Sequence, residues 1–158
     1  MSVREHRPEP DAGSHRFAIA AARFNETYVR RMVDAAVEVL RGRGAADERM
    51  VVAWVPGSFE LPLAARWMIE AGADAVLAFG VVIRGETEHF RLVADAASQG
   101  LLRVTLDTGV PVLNGVLAAE NAEQAAARCG GAMGNRGADV ALAALQMARL
   151  RRDLAVRG

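Results

Sequence analysis

Hydrophobic residues occur in two kinds of run along the chain, short uninterrupted runs and longer runs with apolar residues at three- and four-residue steps. Short runs are typical of buried strands, and stepped runs are typical of amphipathic helices. The third short run is apolar throughout, as expected of a strand covered on both faces of a parallel sheet. The four predicted strands are Phe17–Ala22, Met50–Val55, Ala75–Ile83 and residues 110–117.

The stepped runs predict five helices. The clearest covers residues 27–43, where Asn25 is a candidate N-cap and Gly42 and Gly44 end the apolar stripe. A second helix begins near Glu60, with a proline in its first turn. The others are predicted over residues 88–100, 119–129 and 137–152, with residues 101–106 read as continued helix or an irregular connection.

Four strands separated by helices predict the α/β class, as a three-layer α/β/α sandwich around a four-stranded parallel sheet. We expect the flavodoxin-like strand order 2-1-3-4. There is no internal repeat and no sign of a second domain in the 158 residues. The predicted organisation is a flexible arm over residues 1–15 and one domain over residues 16–158.

Composition excludes several classes of protein. The chain is 52% hydrophobic, too apolar for a disordered protein. Nineteen basic residues balance nineteen acidic ones, so the charge predicts neither a nucleic-acid nor an anionic-membrane partner. No run of eighteen apolar residues occurs, and the polar first fifteen residues resemble neither a signal peptide nor an anchor. We therefore expect a cytoplasmic protein.

The residues that bind metals or nucleotides are scarce. Cys129 is the single cysteine, which excludes an internal disulfide, and two of the three histidines, His6 and His15, lie in the arm. A catalytic zinc site is therefore not expected, and no metal ligands are predicted. The chain also lacks a Gly-x-Gly-x-x-Gly motif after its first strand and a Walker-type loop.

Polar and aromatic residues follow or lie within each predicted strand. In open α/β sheets, ligands bind beyond the carboxyl ends of the strands, so this clustering predicts a small-molecule site. The segments are Arg23-Phe24-Asn25, then Pro56-Gly57-Ser58-Phe59-Glu60, then Arg84-Gly85-Glu86-Thr87-Glu88-His89, and Leu113-Asn114-Gly115 within the fourth strand.

Three of these residues suit a flat, hydroxylated ligand. Phe24 and Phe59 either pack on the core as loop aromatics or offer faces on which a heterocycle stacks. Glu60 at a helix start either complements the helix dipole or accepts hydrogen bonds from ligand hydroxyls.

The third segment contains residues that suit anion binding and proton transfer. Gly85, before a predicted helix, resembles an anion-binding turn, since free N–H groups at a helix N-terminus suit phosphate. Arg128 and Arg136 either add charge to such a site or are solvated surface residues. His89 is the one histidine inside the predicted domain, and an imidazole side chain suits proton transfer near neutral pH.

Taken in order, six motifs make the chain resemble the lumazine synthases from Phe17 to about Leu150. Each motif alone is modest, but six in order at family spacing are highly specific. They are Ala22-Arg23-Phe24-Asn25; Val55-Pro56-Gly57-Ser58-Phe59-Glu60-Leu61-Pro62; Gly80-Val81-Val82-Ile83-Arg84-Gly85-Glu86-Thr87 with His89; Gly109-Val110-Pro111-Val112 with Asn114-Gly115-Val116-Leu117; Glu123-Gln124-Ala125 with Arg128; and Gly134-Asn135-Arg136-Gly137.

The resemblance implies an enzyme that condenses 5-amino-6-(D-ribitylamino)uracil with 3,4-dihydroxy-2-butanone 4-phosphate. The product is 6,7-dimethyl-8-ribityllumazine, formed with loss of phosphate and water, and no cofactor is implied. The implied roles are His89 for proton transfer; Phe24 for stacking; Ser58, Phe59 and Glu60 for the ribityl chain and its ring; Val81, Val82 and Ile83 for backbone contacts to the heterocycle; Glu86, Thr87 and Arg128 for phosphate; and Asn114 and Arg136 for a neighbouring subunit's substrates.

The resemblance also implies self-association into pentamers, with possible association with riboflavin synthase. Residues 130–137 lack the insertion that keeps some members pentameric, so we expect a shell of sixty subunits. The N-terminal arm is expected to pair with a neighbour's sheet edge near Arg16.

Five positions depart from the family pattern. Asn114 stands where many members carry an aromatic residue, and Arg136 replaces a more common lysine. Ala118 and Ala119 occupy positions usually held by threonine. Arg91 replaces a usual aspartate shortly after His89, which is the departure nearest to the expected chemistry.

Two alternatives stay open at this point. One is an archaeal-type riboflavin synthase, which shares the fold but converts two lumazines to riboflavin. The other is a non-catalytic shell or flavin-binding protein on the same scaffold. The Arg84-Gly85-Glu86-Thr87-x-His89 run argues against the first. The second is opposed by the retained site residues Phe24, Glu60, His89 and Arg128.

Overall fold

A four-stranded parallel sheet forms the centre of the computed structural model, which describes residues 2–156. Its strands are β1 (Phe17–Ala22), β2 (Met50–Val55), β3 (Ala75–Ile83) and β4 (Val112–Ala119). They lie in the order β2-β1-β3-β4, which confirms the predicted 2-1-3-4 arrangement. The bounds predicted for the first three strands are also confirmed.

Within residues 2–156, five α-helices cover the two faces of the sheet. They are α1 (Glu26–Gly42), α2 (Leu61–Glu70), α3 (His89–Thr108), α4 (Ala122–Arg128) and α5 (Arg136–Ala155).

Alternate residues of each strand face opposite helical layers. In β1, Phe17 and Ile19 belong to a core cluster with residues of α1 and α5, whereas Ala18 and Ala20 belong to a second cluster with residues of α2 and α3. This alternation follows from the two-residue period of a strand. The predicted three-layer α/β/α sandwich is therefore confirmed.

The fourth strand was predicted two residues too early. It spans Val112–Ala119 rather than residues 110–117. Pro111 has no N–H for a ladder, and its carbonyl accepts a hydrogen bond from the N–H of Val76 at 2.9 Å. At the other end, Ala118 and Ala119 pair with β3, so Ala119 does not begin the next helix as predicted.

The helix boundaries shift accordingly. The helix predicted from residue 119 begins at Ala122, because the side chain of Asn121 caps it by accepting a hydrogen bond from Gln124 N at 2.8 Å. Helix α3 continues to Thr108, so residues 101–106 are helical, and Gly109 ends it with a φ of 70°.

A small antiparallel hairpin, which was not predicted, connects α4 to α5. Its strands are β5 (Cys129–Gly131) and β6 (Gly134–Asn135). The side chain of Asn135 accepts a hydrogen bond from Gly137 N at 2.8 Å and caps α5. Helix α5 consequently begins one residue before the predicted start and ends three residues beyond the predicted end.

Residues 11–14 pack against the domain. Ala12 is fully buried, and its N–H donates to the carbonyl of Arg43 at 2.9 Å. The carboxylate of Asp11 lies 2.9 Å from the guanidinium of Arg149. Residues 2–10 have no regular secondary structure. No helix between residues 2 and 156 combines the length and apolar character needed to cross a membrane.

Helices α1 and α5 approach each other closely at Gly137. A Cβ atom at this position would lie 2.6 Å from the carbonyl carbon of Met32 and 2.7 Å from its Cα. Both atoms are backbone, so neither can rotate away. Any side chain here would force the two helices apart.

We predict that Gly137→Ala lowers the free energy of unfolding by about 1–3 kcal/mol, the usual cost of overpacking a core. The matched control is Gly42→Ala at the end of α1, where a Cβ meets no atom within 4 Å. This change should raise stability by about 0.5–1 kcal/mol. Urea unfolding measures both variants, and equal stabilities would contradict the prediction.

Candidate functional site

A cavity of about 590 Å³ lies where β1, β2 and β3 end. Its walls come from the segments after β1 and β2, from the end of β3, and from the turn and the start of α3 that follow it. Predicted site residues from four separate segments meet there. They are Phe24, Ser58, Phe59, Glu60, Val81, Val82, Ile83, Thr87 and His89.

Four other predicted site residues do not line this cavity. Glu86 is exposed on the turn between β3 and α3. The side chain of Asn114 bonds to neighbouring residues of α3 and β4. Its Nδ2 donates to Ser98 Oγ at 3.1 Å, and its Oδ1 accepts from Val116 N at 3.0 Å. Arg128 ends α4, where Nη1 donates to the carbonyl of Gln124 at 3.4 Å, and Arg136 begins α5.

One edge of β3 is open to the cavity. The ladder with β1 ends at the pair Ala21↔Phe79, whereas the ladder with β4 continues to Ile83↔Ala119. Since backbone groups alternate in direction along a strand, those of Val81 and Ile83 face the side that β1 has left. The next residue, Arg84, has its N–H on the opposite side, where it donates to the carbonyl of Ala119 at the end of β4 at 2.9 Å. The cavity therefore contains strand-edge backbone groups that can form hydrogen bonds with a ligand.

Asn25 occupies part of that open edge. Its Nδ2 donates to the carbonyl oxygen of Val81 at 2.7 Å. Asn25 was predicted to cap α1, but its side chain makes no cap hydrogen bond. It instead has a left-handed backbone, with φ 61° and ψ 38°, a conformation that asparagine tolerates better than most residues. This turn takes the chain out of β1 and aims the amide at β3.

Ser58 packs tightly against β3 beneath the cavity. Its side chain is 4% exposed. A Cβ atom on Gly80 would collide with Ser58 Oγ and would lie 3.3 Å from Leu61 Cδ1. The glycine thus allows the segment after β2 to approach the strand, which places Phe59 and Glu60 at the cavity wall.

Two phenylalanine rings are available at the cavity. Phe24 is 74% exposed and Phe59 is 66% exposed. The structure therefore argues against the interpretation of both rings as loop aromatics tucked onto the core. Exposed aromatic faces beside a cavity suit stacking with a flat ligand.

The turn between β3 and α3 supplies polar groups. Thr87 Oγ1 accepts a hydrogen bond from the N–H of His89 at 3.3 Å. His89 is exposed and is the first residue of α3, a helix of twenty residues. The imidazole thus lies beside a helix N-terminus at the cavity mouth, where it can exchange protons with a bound molecule.

Three non-glycine residues of the cavity were not predicted as site residues. Asn25 was interpreted as a helix cap within the first strand-end segment, and Phe90 and Val93 were interpreted only as part of a helix. The sequence does contain a signal for the last two. Residues 89, 90 and 93 lie at one- and three-residue steps, which places them on one side of a helix that starts at the cavity.

Other reactive groups lie apart from the cavity. Cys129 is buried, and this burial raises the pKa of its thiol, so it is a poor nucleophile. Within residues 2–156, no three His, Cys, Asp or Glu side chains are grouped so that they could hold a metal ion.

Comparison with known proteins identifies one family. Residues 14–152 match the family model described as 6,7-dimethyl-8-ribityllumazine synthase. The chain is similar to a protein of that name from Halorhodospira halophila, with 49% identity over 88% of this chain and 90% of the relative. It is also similar to a protein of the same name from Stenotrophomonas maltophilia strain R551-3, with 51% identity over 89% and 92% of the two chains.

The direction of one hydrogen bond at the cavity can be tested with isosteric changes. We predict that Asn25→Asp lowers the free energy of unfolding by about 1–3 kcal/mol, because a carboxylate cannot donate to Val81 O and repels it. The matched control is Asn121→Asp, where the side chain only accepts a hydrogen bond from Gln124 N. Thermal unfolding should leave this control within about 0.5 kcal/mol of the unaltered chain. A loss of equal size in both variants would refute the assignment.

Proposed function

This chain belongs to the 6,7-dimethyl-8-ribityllumazine synthase family, and on that premise we propose that it carries out the family's condensation. It is an enzyme of riboflavin biosynthesis and a transferase. Its substrates are 5-amino-6-(D-ribitylamino)uracil and 3,4-dihydroxy-2-butanone 4-phosphate. The observation that carries the proposal is the meeting of three strand-end motifs, with His89, in one cavity.

The pyrimidine substrate suits the inner part of the cavity. We propose that Phe24 stacks on its ring, and that the open edge of β3 from Val81 to Ile83, including Val82, faces the heterocycle. Ser58, Phe59 and Glu60 then hold the ribityl chain and the adjoining ring. A carboxylate at Glu60 accepts hydrogen bonds from ribityl hydroxyls, which explains a charged residue in this wall.

The phosphate-bearing substrate suits the turn between β3 and α3. Thr87 and the free N–H groups at the start of α3 are anion donors, and we propose that Glu86 contributes through its backbone. His89 stands next to this turn and is proposed to move protons during imine formation and phosphate elimination. Since an amine and a ketone are intrinsically reactive, holding the two substrates together supplies much of the rate acceleration.

A phosphate site also needs cations, and Arg128 does not line this cavity. We propose that the complete site forms between neighbouring copies of the chain. One copy would supply Phe24, Glu60 and His89, and its neighbour would supply Asn114, Arg128 and Arg136. The free guanidinium donors of arginine suit a phosphate bound from two sides.

Exposed apolar residues support self-association. Leu63, Trp67, Leu92, Leu102 and Leu106 are each more than half exposed on α2 and α3. Exposed apolar side chains on two adjacent helices suit a protein–protein interface. We propose a pentamer as the building unit, sixty copies in a closed shell, and association with riboflavin synthase as a possible further contact. A cytoplasmic location is proposed with it.

The division into an arm over residues 1–15 and a domain over residues 16–158 stays a prediction. Ala12 and Asp11 contact the domain of their own chain. We therefore propose that only residues before them reach a neighbour's sheet edge near Arg16. Met1 and residues 157–158, which that division includes, lie outside the described residues.

We predict that His89→Gln lowers kcat roughly tenfold to a hundredfold, at or below the lower end of general acid–base contributions, because the substrates react without help. Arg128→Ala should instead raise KM for the phosphate-bearing substrate. Product absorbance with both substrates measures each rate. His6→Gln, which changes a histidine that does not line the cavity, is the control.

Three outcomes would count against these roles. Rates of His89→Gln and Arg128→Ala equal to that of His6→Gln would refute the role assignments. Riboflavin formed from lumazine alone would indicate the archaeal-type riboflavin synthase reaction, and tight flavin binding without turnover would indicate a non-catalytic protein.

We predict that the purified chain sediments as a particle of sixty copies. The physical reason is the short connection of residues 129–135, folded as a compact hairpin with no insertion to block contacts between pentamers. Light scattering gives the mass independently of shape. A mass of five copies would overturn the shell while leaving the pentamer intact.

A further inference from the structure

Charged side chains tie down the turn of residues 84–88, between β3 and α3. Arg84 begins the turn, and its N–H donates to the carbonyl of Ala119 at 2.9 Å. Its side-chain Nη1 lies 3.2 Å from Glu120 Oε2. The start of the turn is therefore joined to the end of β4 through both backbone and side chain.

The far end of the turn is held through Phe90. Its ring is 8% exposed, lines the cavity, and lies 5.6 Å from the guanidinium carbon of Arg84. Arg91 approaches the same ring at 5.9 Å, and its Nε lies 3.4 Å from Glu88 Oε2. Both distances fall within the range of cation–π contact. Arg91, the departure from the family pattern nearest to the expected chemistry, thus contacts Glu88 in the turn and Phe90 just after it.

We propose that Arg84 is a positioning residue for the condensation. By contacting Glu120 on one side and Phe90 on the other, it spans the turn and fixes Thr87 and His89 at the cavity. The catalytic consequence rests on the proposed function, whereas the ordering of the turn does not.

Arginine suits this position for a geometric reason. A planar guanidinium donates to a carboxylate through its edge while its face covers an aromatic ring. An ammonium group is a point charge and cannot do both equally well. Arg84→Lys therefore keeps the charge but weakens the bridge, whereas Arg84→Gln removes the charge.

Fold stability should depend little on this bridge. The side chains of Arg84 and Glu120 are 43% and 53% exposed, and exposed ion pairs contribute little to folding. Its loss would loosen the turn locally, as expected for a segment with few buried contacts. The effect can thus be separated from general destabilisation.

The test compares Arg84→Gln and Arg84→Lys with a control, Arg103→Gln. Arg103 forms an exposed ion pair with Asp107 on α3 at 3.5 Å, away from the cavity wall. Hydrogen exchange of the amides of residues 85–92 is measured in the whole protein. We expect exchange roughly tenfold faster in Arg84→Gln, an intermediate rate in Arg84→Lys and no change in the control.

Steady-state kinetics test the catalytic half. For Arg84→Gln we expect kcat/KM to fall roughly tenfold, with a higher KM for the butanone phosphate. The KM for the ribitylaminouracil should stay within about twofold, since its ring lies at the edge of β3. Arg84→Lys should recover part of the loss.

Each outcome is decisive. Exchange in Arg84→Gln equal to the control overturns the proposal, and so does faster exchange with control-like kinetics in an active enzyme. If the unaltered chain forms no lumazine from its two substrates, the proposed function fails, and the exchange comparison alone then supports or overturns the ordering role.

Discussion

The central strand β3 has two ladders of unequal length, and the candidate site depends on that difference. Pairing with β1 stops at Phe79, whereas pairing with β4 runs on through Ile83. The longer ladder holds the end of β3 rigid while its other edge faces the cavity. Backbone groups that would elsewhere bond a neighbouring strand are thereby held in fixed directions, at little entropic cost, for a planar ligand.

Two local features of the backbone keep this edge of β3 open to the cavity. Gly80 lets Ser58 pack on the strand beneath the cavity, and the left-handed turn at Asn25 brings an amide to Val81. The chain thus leaves β1 sideways rather than extending the ladder. A longer β1 would seal the edge, so the turn at Asn25 is what gives the site its opening.

Much of the fold could be predicted because the strands of this parallel sheet are uninterrupted apolar runs, including β2, where Val51 and Val52 are exposed. The bounds of β1, β2 and β3 follow from uninterrupted apolar runs. The prediction was weaker where context decides. Alanines at positions 118 and 119 favour helix by propensity but pair with β3, and the glycines of the hairpin between residues 129 and 135 leave no periodicity to detect. Of the site, the strand-end positions were predictable, but the bond from Asn25 to Val81 joins residues 56 positions apart and needed the fold.

The place of Cys129 in the hairpin makes its thiol a probe of local opening. It is the single thiol in the chain, it is 1% exposed, and it lies on β5 where α4 meets the hairpin. A buried thiol reacts with a labelling reagent only when its surroundings open. The rate of labelling therefore reports how often this connection between α4 and α5 opens. No engineered cysteine is needed for the measurement.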